Sequence, residues 1–298
     1  MLSVLKERKD INITENAVMA PYTTFQIGGP ADVLIEPATK EAFIEAYKIL
    51  KESGVLVTVI GAGSNLLISD KGIRGAVIRL TKPFSKVEQD GNVLTAEAGV
   101  SLAKLAAKAL SSGLSGLEFA SGIPGSLGGA VFMNAGAYGG EMKDVVVETE
   151  YLAADGSVKT VCGEAHQFDY RKSIFSLEGG IVLASKLQLT SGNPETIRAT
   201  MQELNGRRRD KQPLNYPSAG SFFKRPVGHF AGKLVEDAGL KGTTFGGAQI
   251  SEKHAGFVIN LGGATAEDVC KLMDYVKTKV FEQFGVTLEP EVRMLGEF

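Results

Sequence analysis

Apolar and polar residues recur at strand spacing and then at helical spacing in the first part of the chain. Residues 31–38 (ADVLIEPA) predict a strand. The next segment predicts a helix with Thr39 as N-cap and Gly54 as its stop, because four apolar residues fall on one helical face: Phe43, Ala46, Tyr47 and Leu50. Residues 55–61 (VLVTVIG) predict a second strand. This order predicts a β-α-β unit, which is usually parallel and right-handed.

Similar patterns continue through the middle of the chain. They predict strands at 75–80, 93–100 and 179–192, a helix capped by Ser101 and ended by Gly113, and a hairpin around Asp155-Gly156. Residues 116–142 contain too much glycine for regular structure over most of their length, so we expect a shaped loop there.

The pattern changes at residue 193, where we place a domain boundary. Asn193 and Pro194 are typical of a helix start, and the predicted helix ends in three arginines at 207–209. We expect a first domain at 1–192, with subdomains of about 1–80 and 81–192, and a second domain at 193–298. Near the C-terminus we predict a helix from Thr265 to Gly285, with a start that resembles a capping box, and a final strand at 286–296.

Composition narrows the class of protein. The 298 residues include 44% hydrophobic and 22% charged residues, which is typical of a globular protein that can bury a core. A net charge of -2 argues against nucleic acid and acidic membranes as partners. The two cysteines, Cys162 and Cys270, indicate neither a disulfide framework nor a metal site. Because we find no signal peptide and no apolar run of about 20 residues, we expect a cytoplasmic protein.

Glycine is enriched and clustered: the chain has 36 glycines among 298 residues, or about 12%, whereas average usage is about 7%. In the first glycine loop (61–65), Gly61 and Gly63 follow a predicted strand, where a pyrophosphate could meet main-chain N–H groups. The dinucleotide fingerprint needs a third glycine where Leu66 stands, so this loop alone favours a tight structural turn. The second glycine loop (122–129) favours a phosphate or cofactor cradle, because so many glycines carry an entropic cost.

Three candidate groups remain open on the residues alone. Ser221 in SAGSFFKRP is first a turn residue, then a proton donor, then a nucleophile, since Phe223 interrupts the G-x-S-x-G pattern. A base for a nucleophile could come from one of three histidines, namely His166, His229 and His254. The basic run 207–213 favours a solvated helix end. On the residues alone, Arg171 is best interpreted as part of a surface ion pair, and Glu291 as an exposed residue of a strand.

Six segments occur in this order along the chain: TTFQIGG (23–29), GAGSNLL (61–67), GIPGSLGGAVFMNAGAYG (122–139), YRKSIF (170–175), GSFFKRP (220–226) and EPEVR (289–293). Taken together, they resemble the UDP-N-acetylenolpyruvoylglucosamine reductase family over nearly the whole chain. The resemblance implies an α+β fold. It further implies an FAD-binding domain of the vanillyl-alcohol-oxidase (PCMH) type, made of two α/β subdomains, and a smaller α+β substrate-binding domain.

The family binds FAD non-covalently, and the matching positions imply the residues that would line it. They are Thr24, Ile27, Gly28, Gly29, Gly61, Ala62, Gly63, Ser64, Asn65, Gly122, Ile123, Pro124, Gly125, Ser126, Gly128, Gly129, Asn134 and Ala135. No metal is implied.

The family's chemistry also gives roles to the open candidates. It implies that NADPH reduces FAD, after which hydride passes to the enolpyruvyl group of UDP-N-acetylglucosamine enolpyruvate to give UDP-N-acetylmuramate, a peptidoglycan precursor. Ser221 matches the proton donor, while Arg171 and Glu291 match the groups that stabilise the negative charge. Candidate substrate contacts are Tyr170, Lys211 and Arg225. We expect a monomer.

Two departures from the family's longer form concern the nucleotide. Arg225 stands where asparagine is common, and the chain is too short for the inserted loop that covers the nucleotide. The competing hypotheses are another oxidase or dehydrogenase of the same FAD superfamily, a non-redox nucleotide-binding protein, and a hydrolase that uses Ser221.

Overall fold

A computed structural model describes residues 2–80 and 84–298. Its helices are α1 (Leu2–Lys6), α2 (Lys40–Glu52), α3 (Leu102–Ser111), α4 (Leu127–Phe132), α5 (Ile174–Glu178), α6 (Pro194–Lys211), α7 (Ala231–Asp237) and α8 (Ala266–Phe284). Short 3-10 turns lie at Ala20–Tyr22, Glu118–Ala120, Met142–Asp144 and Gly163–His166.

The strands are mostly short. They are β1 (Ile11–Val18), β2 (Pro30–Pro37), β3 (Val57–Ile60), β4 (Leu66–Ile68), β5 (Ile73–Arg79), β6 (Val87–Asp90), β7 (Val93–Glu97), β8 (Leu114–Ser115), β9 (Gly136–Ala137), β10 (Gly140–Glu141), β11 (Val146–Leu152), β12 (Val158–Cys162), β13 (Ile181–Gln188), β14 (Thr190–Ser191), β15 (Ser218–Ser221), β16 (Thr244–Phe245), β17 (Ala248–Ile250), β18 (Phe257–Asn260) and β19 (Arg293–Leu295).

The predicted helix starts agree with the hydrogen bonds that cap the helices. The Thr39 hydroxyl accepts from the Ala42 amide at the start of α2. The Asn193 side chain accepts from two amides of the first turn of α6. Thr265 and Asp268 form a complete capping box on α8, which ends at Gly285 with φ 67°. Each side-chain acceptor satisfies main-chain donors that a helix leaves unpaired at its start.

The predicted β-α-β unit is present, but its two strands are not neighbours. Strands β1, β2, β5 and β3 form a sheet in that order, so β5 lies between β2 and β3. Strands β3 and β5 are parallel, with Val57 opposite Ala76 and Ile60 opposite Arg79. The two strands of the β2-α2-β3 unit are therefore separated by β5, which comes later in the chain.

The chain divides into two compact units. The first unit contains, among the described residues, 2–14, 34–62, 76–80 and 84–208. Its main sheet has the order β12-β11-β13-β7-β6. All neighbours in this sheet are antiparallel, and β11 and β12 form the hairpin predicted around Asp155-Gly156.

The second unit contains residues 15–33, 63–75 and 209–298. Its four-stranded sheet has the order β15-β18-β17-β16, and β4 pairs in parallel with β19. The apolar face of α8 belongs to the core of this unit together with Phe222 and Phe223. Burial of such large side chains is worth about 1.5–3 kcal/mol each, so this core fixes the strands that carry the candidate residues.

Two predicted elements differ from the structure. The glycine-rich segment 116–142 contains a short helix, α4, because Gly128 lets that helix approach Ala98 closely: a Cβ on Gly128 would lie 2.8 Å from the Ala98 Cβ. The final strand covers only Arg293–Leu295, and Pro290 before it makes just an isolated bridge to Phe223. Proline has no N–H to donate, which limits ladder formation.

Across residues 2–80 and 84–298, none of the helices combines the length and the apolar character that a bilayer crossing needs.

Candidate active site

Ser221 is the last residue of β15, where it stands opposite Phe257 of β18. Its side chain is exposed, whereas Phe222 and Phe223 after it are buried with ring centroids 5.1 Å apart. The two phenylalanines therefore anchor the segment in the core, while the Ser221 hydroxyl is exposed to solvent. Within the described chain, no side chain or main-chain group forms a hydrogen bond with the Ser221 Oγ, so this hydroxyl is available to a ligand.

Glu291 lies beside this segment. Its amide donates to the carbonyl oxygen of Phe222 at 2.8 Å, and the Lys224 amide donates to the carbonyl of Glu289 at 2.9 Å. The two segments GSFFKRP and EPEVR thus run next to each other. The structure thereby brings the predicted proton donor and the predicted carboxylate onto adjacent stretches of the second unit.

The first glycine loop supports Glu291 from its other side. The Asn65 side chain donates through Nδ2 to the Glu291 carbonyl at 3.1 Å, and the Arg293 amide donates to the Asn65 carbonyl at 3.0 Å. Asn65 was predicted to line FAD. Its contacts show an additional role, which is to hold the main chain of the EPEVR segment in place.

Thr24 holds the strand that carries Ser221 through hydrogen bonds to Ser218. Its hydroxyl donates to the Ser218 carbonyl at 2.7 Å, and the Ser218 amide donates back to the Thr24 carbonyl at 3.1 Å. The Thr24 amide in turn donates to the Gly63 carbonyl at 3.2 Å. The segment TTFQIGG therefore connects the first glycine loop to the strand that carries Ser221.

Several glycines of the second unit are required by its own packing. A Cβ on Gly29 would lie 2.0 Å from the Asp70 carbonyl oxygen, and one on Gly63 would lie 2.2 Å from the Tyr22 carbonyl oxygen. Gly63 also has φ +68°, which other L-residues rarely adopt. Close main-chain approach thus accounts for these glycines without a ligand, and Ile27, two residues before Gly29, is a buried core residue.

The second glycine loop lies in the first unit and is packed in the same way along most of its length. A Cβ on Gly122 would meet the side chains of Asn205 and Arg208, and a Cβ on Gly61 would meet the Ser126 hydroxyl at 2.3 Å. Gly129 differs, because a Cβ there would have only the Ser126 Oγ, at 3.7 Å, within reach. The main chain at Gly129 is exposed, so a ligand could lie directly against it.

Arg171 has a backbone conformation that is unusual for arginine, with φ 56°. It lies in a tight turn in which Asp169 and Lys172 form a bridge, and its guanidinium lies 5.1 Å from the centre of the Tyr170 ring. A non-glycine residue in the left-handed region costs of order 1–3 kcal/mol and is found at functional sites. Arg171 belongs to the first unit, whereas Ser221 and Glu291 belong to the second.

Asn134 supports the turn that carries Arg171. This buried side chain donates through Nδ2 to the Glu141 carboxylate at 2.8 Å and to the Asp169 carbonyl at 3.1 Å, and its Oδ1 accepts from the Lys143 amide at 2.9 Å. Its neighbour Ala135 is also buried. Asn134 therefore acts inside the protein, close to the residues predicted to bind FAD.

The predicted substrate contacts are accessible. Tyr170 is exposed, and Lys211 is exposed at the end of α6. Arg225 is exposed with its guanidinium 4.3 Å from the centre of the Phe230 ring.

One arginine of the basic run was missed by the sequence interpretation. Arg208 is buried, although Arg207 and Arg209 on either side are exposed. Its Nε atom has no hydrogen-bond partner in the described chain. Burial lowers the pKa of the Arg208 guanidinium, with a hydrogen bond and charge interaction from Tyr138 opposing the shift. The signal available in the sequence was the helical spacing of Arg208 from Ile197 and Leu204, which places it on the inner face of α6.

Comparison with known proteins adds the cofactor. Residues 31–162 match the family described as "FAD binding domain", and residues 212–295 match "UDP-N-acetylenolpyruvoylglucosamine reductase, C-terminal domain". The exposed main chain at Gly129 fits a bound dinucleotide, which could lie directly against it. The chain is therefore an FAD-dependent oxidoreductase of α+β fold, as predicted.

Full-length relatives narrow this class to one family. The chain is 49% identical to "UDP-N-acetylenolpyruvoylglucosamine reductase" of Clostridium botulinum (strain Alaska E43 / Type E3), over 97% of this chain and 95% of the relative. It is 51% identical to the protein of the same name from Agathobacter rectalis, over 99% and 98%. The solved structure of the reductase from Thermus caldophilus matches with a TM-score of 0.82 and 37% identity, covering 96% of this chain and 99% of that one. The chain belongs to the UDP-N-acetylenolpyruvoylglucosamine reductase family.

Proposed function

We propose that this protein reduces UDP-N-acetylglucosamine enolpyruvate to UDP-N-acetylmuramate with NADPH as the electron source. The observation that carries the proposal is the hydrogen bond from the Glu291 amide to the Phe222 carbonyl, directly after Ser221. This main-chain bond joins the segments that carry Ser221 and Glu291, and it supports a hydroxyl proton donor and a carboxylate that act on the same intermediate. A reductase of an enol ether needs both groups.

When bound, FAD would supply the hydride that adds to the methylene carbon of the enolpyruvyl group. Ser221 donates a proton to the substrate carbon beside the carboxylate, because a carbanion is a strong enough base to take a proton from a fixed hydroxyl. Glu291 orients the enolic form, and the Arg171 guanidinium holds the substrate carboxylate in two-point geometry. The strained backbone at Arg171, with φ 56°, supports a fixed functional position for its side chain.

We assign FAD to the segments around Thr24, Ile27, Gly28 and Gly29, the first and second glycine loops, and the Asn134–Ala135 region. The proposed FAD-binding domain is 1–192, with subdomains of about 1–80 and 81–192, and the proposed substrate-binding domain is 193–298. The matched family ranges, 31–162 and 212–295, fall inside these domains and support them.

We assign the substrate's phosphates and sugar to Tyr170, Lys211 and Arg225. All three side chains are exposed, and the two cations suit a diphosphate. Since Arg225 replaces a common asparagine, we propose that phosphate recognition here relies more on charge. We further propose that the protein works as a cytoplasmic monomer, where NADPH and nucleotide sugars are both available.

A hydrolase that uses Ser221 as nucleophile is disfavoured by the histidines. A serine nucleophile needs a base in hydrogen-bond reach, and no histidine of the described chain forms such a bond with Ser221. Both ring nitrogens of His166 are already used, one with the Gly163 carbonyl and one with the Thr149 hydroxyl, each at 2.9 Å. The serine is therefore better suited to give up a proton than to attack.

Rapid mixing of the two half-reactions tests the proposal. In Ser221→Ala, bound flavin should still be reduced by NADPH at the normal rate, while its reoxidation by the enolpyruvyl nucleotide should slow by about 10²–10⁴-fold. The matched control is Ser218→Ala on the same strand, which should leave both rates unchanged because Ser218 bonds Thr24 through its main chain. If Ser221→Ala leaves both half-reactions intact, the assigned role of Ser221 is wrong.

A further inference from the structure

His166 is a fully buried histidine that has no part in the proposed reaction. Its Nδ1 bonds the Gly163 carbonyl and its Nε2 bonds the Thr149 hydroxyl, each at 2.9 Å. Because a carbonyl oxygen can only accept, Nδ1 carries the proton, and Nε2 of the neutral ring accepts from Thr149. Burial lowers the pKa of His166, against the opposing bond to Gly163, and so favours this neutral form.

The hydrogen bonds of His166 continue into the main sheet of the first unit. Since the one hydrogen of the Thr149 hydroxyl is used towards His166, the Thr149 oxygen accepts from the Ser185 hydroxyl at 3.0 Å. Both residues are buried and lie opposite each other on β11 and β13. A buried chain of hydrogen bonds thus runs from Ser185 through Thr149 and His166 to Gly163, and it ties the segment after β12 to the sheet.

The segment from His166 to Ser173 carries Arg171 and is held at both ends. At its start, the His166 ring is stacked on the Phe168 ring, with centroids 4.8 Å apart and planes within 8° of parallel. At its end, the buried Ser173 hydroxyl donates to the Phe132 carbonyl at 2.6 Å. Arg171 therefore lies between two buried polar anchors, and both belong to the same compact unit as Arg171 itself.

The backbone of this segment needs such anchors. Gln167 and Arg171 both have left-handed backbone conformations, with φ 49° and 56°. L-residues keep such conformations only where the surrounding structure over-determines them. Gln167 directly follows His166, so the buried ring fixes the point at which the first of the two strained residues begins.

We infer that His166 is a positioning residue, which holds the Arg171 turn (169–172) in the conformation that directs the guanidinium at the substrate carboxylate. This inference rests on the proposed role of Arg171. His166 touches no reacting atom and acts through the main chain between residues 166 and 171. Without this anchor the strained backbone can relax, and a shift of about 1 Å in a positioning group can cost about 10²-fold in rate.

The experiment uses the full-length FAD-bound protein and two ways of breaking the anchor. His166→Ala removes both bonds of the ring, whereas Thr149→Val removes only the hydroxyl from which Nε2 accepts. Thr149→Val nearly keeps the side-chain shape and serves if His166→Ala folds poorly. His166→Gln is the conservative variant, because its side-chain oxygen can accept from Thr149 in place of Nε2. Leu187→Ala controls for lost stability, since it truncates a buried apolar side chain of the same sheet.

The two half-reactions are measured by rapid mixing. We expect His166→Ala to slow reoxidation of the reduced flavin by the enolpyruvyl nucleotide by about 10–100-fold, with flavin reduction by NADPH changed by less than about twofold. Thr149→Val should show a smaller effect of the same kind, and His166→Gln should recover most of the rate. Leu187→Ala should lower the Tm and leave both rates unchanged.

A double substitution tests whether His166 acts through Arg171. Arg171→Lys keeps the positive charge and loses the two-point geometry. In that background, His166→Ala should slow reoxidation by less than about a further twofold, because the geometry that His166 maintains is already lost.

Amide hydrogen exchange gives a readout that needs no substrate. The Asp169 and Lys172 amides donate to each other's carbonyls across the turn, at 3.2 and 3.1 Å. Their exchange should become faster in His166→Ala and stay unchanged in Leu187→Ala, because only the first variant loosens this segment locally.

The inference is overturned if His166→Ala and Thr149→Val slow reoxidation no more than Leu187→Ala does. It is also overturned if His166→Ala has its full effect in the Arg171→Lys background, or if exchange at Asp169 and Lys172 does not change. Failure of the proposed function is distinguishable, since the unmodified reduced protein would then not be reoxidised by the enolpyruvyl nucleotide. Amide exchange would still decide whether His166 holds the turn.

Discussion

The side-chain amide of Asn65 donates to the main-chain carbonyl of Glu291 at 3.1 Å. The two residues are separated by 226 positions in the sequence. This bond fixes the EPEVR segment from one side, while the bond from the Glu291 amide to Phe222 fixes it from the other. The main chain at Glu291 therefore cannot shift without breaking a contact to the loop or to the serine segment.

Asn65→Ala should lower the free energy of unfolding by about 1 kcal/mol and slow substrate reduction more than flavin reduction. The variant removes a donor from a partly buried carbonyl, and hydrogen bonds of this kind contribute about 1 kcal/mol. Urea unfolding and the two half-reactions give the measurement. Asn12→Ala serves as control, because that exposed amide donates to Glu36 at 3.4 Å and should change stability by less than about 0.5 kcal/mol. Equal effects of the two substitutions would refute a positioning role for Asn65.

Asn134→Ala should destabilise the protein by about 2–4 kcal/mol. It leaves the Lys143 amide and the Asp169 carbonyl without their partner, and each unsatisfied buried group costs about 1–3 kcal/mol. Asn16→Ala is the matched control, because Asn16 shares the left-handed backbone, with φ 52° against 45°, but is exposed. Denaturant titration should show a much smaller loss for Asn16→Ala. Comparable losses would mean that backbone conformation, and not the buried hydrogen bonds, accounts for Asn134.

Adjacent glycines of α4 offer a paired test of the FAD cradle. Gly129→Ala should raise the stability of flavin-free protein by about 0.5–1 kcal/mol, because alanine favours a helix and the position is open. It should nevertheless weaken FAD binding, by about tenfold, equivalent to 1.4 kcal/mol. Gly128→Ala should instead destabilise the flavin-free protein, since its Cβ would lie 2.8 Å from the Ala98 Cβ.

These two substitutions are compared by thermal unfolding without flavin and by FAD titration. Normal FAD affinity in Gly129→Ala would show that the cofactor does not lie against this part of α4.

Stability should fall as the pH drops below about 6.5, partly because of His166. Burial lowers the pKa of this histidine from 6.5. The unfolded chain then binds a proton at a higher pH than the folded one, so the stability present above pH 6.5 is lost as the pH falls towards the folded pKa.

Denaturant titrations between about pH 7.5 and 5.5 measure this slope. His166→Gln should reduce the slope, and the exposed His229→Gln should leave it unchanged. His254, whose pKa burial also lowers, accounts for a remaining slope. An unchanged slope in His166→Gln would contradict the interpretation.

The sequence predicted the helices well because their boundaries depend on local chemistry. Thr39, Asn193 and the Thr265–Asp268 pair lie at the starts of their helices, where the structure shows their capping bonds. The hairpin at Asp155-Gly156 was predictable for the same reason. The insertion of β5 between β2 and β3 was not, since strand order depends on contacts between distant segments.

Glycine content alone did not distinguish a ligand site from close packing inside the protein. Their clustering suggested a ligand, but Gly29, Gly63 and Gly128 are required by close contacts within the protein. The FAD assignment came from the resemblance of six segments and from the match of residues 31–162 to an FAD binding domain. Arg208 was missed because a run of arginines at a helix end is usually solvated, and only tertiary packing shows which of them is buried.

The visible absorption spectrum of the purified protein tests the central claim most directly. Oxidised flavin bands should be present, NADPH should bleach them without oxygen, and UDP-N-acetylglucosamine enolpyruvate should then restore them. A protein that takes up no FAD, or whose reduced flavin stays bleached when the enolpyruvyl nucleotide is added, would contradict the account.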